Sequence, residues 1–134
     1  MSKLDAANDR RRAIARRYDA ELRGVVIPSA RPGVTHVYHQ YTLRVRRRDE
    51  FVDRLRERGV GSAVYYPIPV HRQAPFVAMG FDQGRYPVTD RLTEQVVSIP
   101  VHPGLTDDEV DTVIEAVNAT AAELGPFESE AVGR

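Results

Sequence analysis

The segment from Tyr65 to Gln73 concentrates side chains that could do chemistry. Its sequence, YYPIPVHRQ, holds two phenols, an imidazole, a guanidinium and a primary amide. Pro67 and Pro69 stiffen the backbone, which lowers the entropy lost when a loop is held in one shape. A rigid loop rich in donors and ring faces favours a binding surface. The alternative, a loop whose aromatic rings merely close the core, is equally compatible with these residues alone.

The four histidines, His36, His39, His71 and His102, do not have the spacing of a metal site. No HxxxH or HExxH pair occurs, and the chain has no cysteine, which excludes disulfides, thiolate catalysis and Cys-ligated zinc. No GxSxG, GxGxxG or Walker motif is present. We therefore predict neither a metal ligand nor a catalytic residue in this chain.

Lysine chemistry is also nearly excluded. Lys and Arg together number 19, and lysine occurs only as Lys3, so 18 of them are Arg. An imine-forming lysine must be desolvated and held against the substrate, which is not expected so close to the start of a chain.

Composition predicts one soluble, cytoplasmic domain. The chain has 134 residues, 42% of them hydrophobic, and a formal net charge of zero, which gives no general attraction to nucleic acid or anionic lipid. No apolar run approaches the ~20 residues of a membrane span, and the first residues lack the apolar core of a signal peptide. We expect neither nucleic acid nor membrane as a partner.

Apolar periodicity predicts four helices. The first covers 4–23 and should bury Ile14, Tyr18 and Leu22, and the second covers 49–58 with Asp49 as its cap. The third covers 87–95 and should bury Val88 and Leu92. The last helix begins with a capping box formed by Thr106 and Glu109. The first pattern runs up to the chain start, which we interpret as a tail or a cut end. The acidic run 107–109 is explained by the helix dipole and the basic run 46–48 by a solvated strand end.

Strands are predicted over 36–45, 60–65 and 96–100, with a stub near 25–27. The first two, joined by one helix, form a βαβ unit expected to be right-handed. Residues 66–73 should be irregular, 74–86 should hold one helical turn, and 125–134 should be a frayed, flexible tail. The fold class is therefore α+β (an α/β two-layer arrangement): a sheet of about three strands covered by helices, preceded by a long N-terminal helix.

The order of segments resembles the small C-terminal domain of the DegT/DnrJ/EryC1/StrS aminotransferases, sugar aminotransferases of PLP fold type I. The resemblance covers nearly the whole chain and is carried by four stretches: 8–22, 36–45, 47–73 and 86–117. Its most specific part combines Tyr-Pro-x-Pro-x-His (66–71) with Ser-x-Pro-x-His-Pro-x-Leu-Thr (98–106).

The resemblance implies that this chain acts together with a large N-terminal domain that the sequence does not contain. Intact members are homodimers that use pyridoxal 5′-phosphate (PLP) to move an amino group to a keto sugar, usually nucleotide-linked. Their PLP lysine lies in a large N-terminal domain, and residues 1–24 here resemble the end of the helix joining the two domains. On the substrate side, the resemblance places Tyr66, His71 and Gln73, with His39 and Tyr41 on a strand near the same cleft.

Two functions of different classes follow. The chain is either the small domain of such an aminotransferase, present as a fragment or truncated product and inactive alone, or a non-catalytic assembly module that pairs with a separate large domain. We expect no PLP to bind this chain alone. Either function predicts an exposed apolar or aromatic face. A dehydratase relative, whose large domain replaces the lysine, stays open.

Overall fold

The computed structural model describes residues 2–81 and 84–127. In chain order, the elements are α1 (Ser2–Glu21), β1 (Tyr41–Arg44), α2 (Arg48–Glu57), a 3₁₀ turn (Val70–Arg72), α3 (Ala74–Ala78), α4 (Pro87–Gln95), β2 (Val96–Ile99) and α5 (Asp107–Leu124). The α+β class and the long N-terminal helix are confirmed. No helix in the described ranges combines the length and apolarity needed to cross a bilayer.

The sheet is antiparallel and smaller than the sequence predicts. Strands β1 and β2 pair in the register Tyr41 with Ile99 and Leu43 with Val97. Single bridges extend this pair on both sides, Val26 to Arg44 and Ala63 to Ser98. Strand β2 therefore lies between β1 and the segment at Ala63, both antiparallel to it.

Two strand predictions were too long. The strand at 36–45 shrinks to Tyr41–Arg44 because Tyr38 adopts φ 48, and its amide donates to Nδ1 of His36 at 3.0 Å instead of to a neighbouring strand. The strand at 60–65 is reduced to the bridge at Ala63, because the chain bends at Tyr65 and again at Pro67. The expected βαβ unit is thus split, with β2 between its two strands.

The core lies between the sheet and three helices, α1, α2 and α5. Its largest fully buried side chains are Tyr18, Tyr41, Phe51, Ile14, Leu43 and Leu55. The predicted capping box is present: Glu109 N–H donates to Oγ1 of Thr106 at 3.2 Å, and Thr106 N–H donates to Oε2 of Glu109 at 2.8 Å. These bonds satisfy amides at the start of α5 that lack a partner within the helix.

Three predictions about helices need correction. Asp49 is not the cap of α2; the helix starts one residue earlier, after Arg47 in the left-handed region, with no side-chain cap. Val88 is 60% exposed instead of buried, although α4 itself has the predicted bounds. Residues 66–73 are not wholly irregular, since they include the 3₁₀ turn.

The predicted tail is partly attached. Phe127 N–H donates to the carbonyl of Gly24 at 2.9 Å, and the Arg44 guanidinium lies 5.0 Å from the centroid of the Phe127 ring. These contacts place the start of the 125–134 segment against β1; residues 128–134 lie outside the described ranges.

Candidate functional site

The segment 65–73, which we call the proline loop, leaves the sheet directly after the bridge at Ala63. The Tyr65–Tyr66 peptide bond is cis, and the two rings meet edge to face with centroids 5.7 Å apart. Tyr66 is 71% exposed, so its phenol is available to a ligand or a partner. The loop therefore presents its first two aromatic rings outward from the sheet edge.

The other end of the proline loop is attached to α4 through a carboxylate. Nε2 of His71 lies 3.2 Å from Oδ1 of Asp90, and Nη2 of Arg72 lies 3.0 Å from Oδ2. Asp90 is in the first turn of α4. The sequence reasoning missed Asp90, because its only signal is a lone carboxylate in a short helix.

A cavity of about 470 Å³ opens beside this ion-pair cluster. Its lining is mostly apolar and comprises Val70, His71, Phe76, Phe81, Tyr86 and Thr89. The Tyr86 ring packs on the His71 imidazole with centroids 4.7 Å apart. Gly84 permits this position of the ring, since a Cβ there would lie 2.3 Å from Cε2 of Tyr86.

His39 lies in a different cavity, of about 390 Å³, on the sheet side of the proline loop. Its lining includes His39, Gln40, Tyr65, Ser98 and His102. The structure thus brings His39 to the first residue of the proline loop. It does not bring His39 into the cavity that His71 lines.

Tyr41 is fully buried and lines neither cavity. Its hydroxyl donates to Oδ1 of Asp19 at 2.6 Å, and its ring meets Tyr18 edge to face at 5.0 Å. Burial, and then the bond to Asp19, raises the pKa of Tyr41 well above its usual range. Tyr41 therefore joins α1 to the sheet and keeps its proton at neutral pH.

Gln73 ends the 3₁₀ turn and starts α3 through its backbone. Its carbonyl accepts from the amides of Phe76 and Val77 at 2.9 and 3.0 Å, and its amide donates to the carbonyl of Val70. Its half-buried side chain makes no cap hydrogen bond to α3. The side-chain amide is thus not used in fixing this turn.

Exposed apolar side chains surround the His71 cavity. We call this set the apolar face; it comprises Val70, Val77, Met79, Phe81, Tyr86 and Val88, between 41% and 69% exposed. The expected exposed aromatic and apolar face is therefore present. Its members lie on the 3₁₀ turn, on and just after α3, and at the start of α4. Clustered apolar exposure of this kind is typical of a surface that binds a partner.

The described residues do not suit PLP on their own. An imine with PLP needs a lysine, and neither cavity is lined by one; Lys3 is an exposed residue of the first turn of α1. Within the described ranges, no group of three or more His, Asp or Glu side chains could hold a metal ion.

Comparison with curated proteins finds relatives that match most of this chain. A dTDP-3-amino-3,4,6-trideoxy-alpha-D-glucose transaminase from Micromonospora megalomicea subsp. nigra is 40% identical over 124 residues, which are 87% of this chain and 33% of the relative. A pleiotropic regulatory protein from Geobacillus stearothermophilus is 34% identical over 85% of this chain and 32% of its own length. The chain thus spans about a third of these relatives.

Solved structures agree with the sequence relatives. Streptomyces venezuelae DesV, solved with a ketimine intermediate, matches with a TM-score of 0.82 and 33% identity, over 87% of this chain and 32% of DesV. A Streptococcus pneumoniae sugar aminotransferase in a PLP form matches at 0.79 and 25% identity, over 90% of this chain and 32% of its own. The profile of the DegT/DnrJ/EryC1/StrS aminotransferase family matches residues 1–118. With the fold and the sequence pattern in agreement over most of its length, the chain belongs to the DegT/DnrJ/EryC1/StrS aminotransferase family.

Proposed function

We propose that this chain is the small domain of a PLP-dependent nucleotide-sugar aminotransferase and supplies the substrate-side wall of the active site. The observation that carries the proposal is the apolar face beside the proline loop, a surface left uncovered in a chain one third the length of its relatives. A large domain that carries the PLP lysine would cover this face. The proposal includes a homo-oligomeric, cytoplasmic enzyme.

PLP would supply the group-transfer chemistry when held by the large domain. The residues of this chain would bind and orient the sugar. The exposed phenol of Tyr66 can donate to a sugar oxygen, and the side-chain amide of Gln73 can both donate and accept. His39 would approach from the neighbouring cavity. Fixed groups of this kind lower the entropy of reaching a reactive geometry.

A domain exchange tests the proposal. The matching third of the Micromonospora megalomicea transaminase would be replaced by this chain, and transamination of its dTDP-sugar would be measured with PLP. We expect an active chimera, because the two share 40% identity across the exchanged region. In the chimera, Tyr66→Phe and Gln73→Ala should lower kcat/KM by roughly tenfold each, mainly through KM, since each removes one hydrogen bond to bound sugar.

Arg54→Ala is the matched control. Arg54 lies on the exposed side of α2 and pairs with Glu57 on the same helix, so its removal should leave kcat/KM unchanged. A folded chimera that binds PLP but shows no transamination would contradict the proposal. Equal losses in all three variants would also contradict the assignment of the substrate wall.

The alternative is a non-catalytic module that assembles with a separate large domain. The same apolar face supports it, and the relative described as a pleiotropic regulatory protein shows that the family includes proteins named for another role. Sequencing the DNA upstream of the Met1 codon separates the two functions. A large-domain reading frame joined to this one supports the aminotransferase, whereas an independent gene supports the module.

A further inference from the structure

The proline loop makes a charged contact with the rest of the fold at its C-terminal end. His71 and Arg72 are consecutive residues, and each points its side-chain nitrogen at a different oxygen of the Asp90 carboxylate, at 3.2 and 3.0 Å. A carboxylate offers two oxygens and several lone pairs, so one Asp can hold both groups at once. Two side chains held by one anion fix both the position and the rotation of the loop.

The two contacts differ in their access to water. The His71 side chain is 12% exposed and that of Asp90 is 26% exposed, whereas that of Arg72 is 61% exposed. Oδ1 of Asp90 is buried and accepts no aligned hydrogen bond within the described ranges, so the nearby imidazole is the donor within reach. Leaving a buried carboxylate oxygen unsatisfied is costly, which favours the imidazole form that carries hydrogen on Nε2. The Arg72 contact is more exposed to water than the His71 contact and is therefore more strongly screened.

Asp90 is itself held in place by α4. Its amide donates to the carbonyl of Tyr86 at 2.9 Å, and its carbonyl accepts from Oγ1 of Thr93 at 2.7 Å. Helix α4 runs without a break into β2, the strand at the centre of the sheet. Asp90 thus connects the loop to the helix that leads into the central strand of the sheet.

We propose that Asp90 is a positioning residue that holds the proline loop against α4, chiefly through Nε2 of His71. Nε2 of the imidazole then faces Asp90, and the ring packs on Tyr86. Nδ1 is therefore the ring nitrogen available to a ligand. The attachment of the loop does not depend on the proposed function; only its effect on sugar binding rests on that function.

The test measures loop order and the state of His71 in the full chain. Amide hydrogen exchange would follow Arg72 and Gln73, whose amides donate to Pro69 and Val70 within the 3₁₀ turn. In Asp90→Asn we expect these amides to exchange at least about tenfold faster, because the carboxylate charge that faces His71 and Arg72 is removed. Nitrogen-15 shifts of the imidazole should report hydrogen on Nε2 of His71 in the wild type, and this preference should be lost in Asp90→Asn.

Two further variants make the test specific. Asp90→Glu keeps the carboxylate and should restore part of the protection and the Nε2–H form. Glu94→Gln removes a carboxylate from the exposed side of the same helix and should change neither readout. The α5 amides should keep their protection in every variant.

Three results would overturn the proposal. They are unchanged exchange and imidazole shifts in Asp90→Asn, an equal effect of Glu94→Gln, or loss of protection throughout α5, which would place Asp90 in the support of the whole core. Because every measurement uses this chain alone, an inactive chimera would refute the proposed function without changing these results.

Discussion

At the scale of single residues, two buried tyrosines join α1 to the sheet through their hydroxyl groups. Tyr18 donates to the carbonyl of Pro100 at 2.8 Å, and Tyr41 donates to Asp19. The family resemblance placed Tyr41 on a strand near the substrate cleft, and a resemblance carries over a position in the fold but not what covers the side chain. In the structure, Tyr41 is buried against α1, and its hydroxyl joins β1 to α1 by the hydrogen bond to Asp19.

Alkaline conditions should destabilise the chain through these two tyrosines. Burial raises the pKa of both Tyr18 and Tyr41 above the ordinary value of 10.0, so their stabilisation is complete below pH 10. Above that pH the unfolded state releases the protons first. The free energy of unfolding should then fall with pH, approaching a slope of about 1.4 kcal/mol per pH unit for each tyrosine, until the folded pKa is reached.

Urea titrations between pH 10 and 11 measure this slope. Tyr18→Phe and Tyr41→Phe should each remove one tyrosine's contribution to this slope. An identical slope in the wild type and in both buried variants would contradict the explanation.

At the scale of elements, sequence reasoning succeeded where the signal is local. The bounds of α4 and the Thr106–Glu109 capping box follow from residues a few positions apart. It failed where the outcome depends on distant chain: Ala63 pairs with Ser98, 35 positions later, and only over a single bridge. Asp90 was missed for the same reason, since its partners are 18 and 19 positions earlier in the sequence.

Removal of the α5 cap should destabilise the chain. Thr106→Ala deletes the side-chain acceptor for Glu109 N–H and should lower the free energy of unfolding by about 1 kcal/mol in urea melts at pH 7. Thr112→Ala, inside the same helix with its hydroxyl on the Asp108 carbonyl, should change stability by less than about half that amount. A cost for Thr112→Ala equal to that for Thr106→Ala would contradict the cap.

The other bond of the capping box, from Thr106 N–H to the Glu109 carboxylate, predicts an effect of acid. The hydrogen bond from the Thr106 amide lowers the pKa of Glu109 below its ordinary value of 4.5. A lowered folded pKa means that the stabilisation is present above pH 4.5 and is lost as the pH falls through the folded value. Unfolding followed from pH 6 to 3 should therefore show a smaller acid loss in Glu109→Gln than in the wild type.

The junction between α1 and α5 requires a glycine. Gly24 has φ +70, and a Cβ there would lie 3.0 Å from Cβ of Ala121. Gly33 has a similar φ of +77, but a Cβ at that position would meet nothing within 4 Å, so Gly33→Ala carries the backbone cost alone. Gly24→Ala should lower the free energy of unfolding by about 1 kcal/mol more than Gly33→Ala. Equal costs in urea melts would show that the Ala121 contact relaxes freely.

At the scale of the whole molecule, two features concern what this chain presents to a partner or a cofactor. Apolar side chains stay uncovered around the His71 cavity, and neither cavity is lined by a lysine. Composition identified the second feature, because lysine occurs once. The location of the apolar face could not be derived from the sequence, since Val88 fits a buried helix stripe as well as an exposed one.

Incubation of the purified chain with PLP tests this view. We expect no imine absorption band beyond that of Lys3→Ala, because Lys3 is exposed and lines neither of the two cavities described above. Borohydride reduction followed by mass spectrometry would locate any adduct. A band in the wild type that disappears in Lys3→Ala would refute the prediction that the chain alone does not bind PLP.

The position of β2 at the centre of the sheet also has a consequence during synthesis. Thr42 and Ala63 both pair with Ser98. A ribosome must therefore translate past residue 98 before the strands on either side of β2 can form their hydrogen bonds. Until then the helices can form locally, while the edge of β1 remains open to other nascent chains. Translation that pauses before this point would expose the polypeptide to aggregation and to chaperone capture.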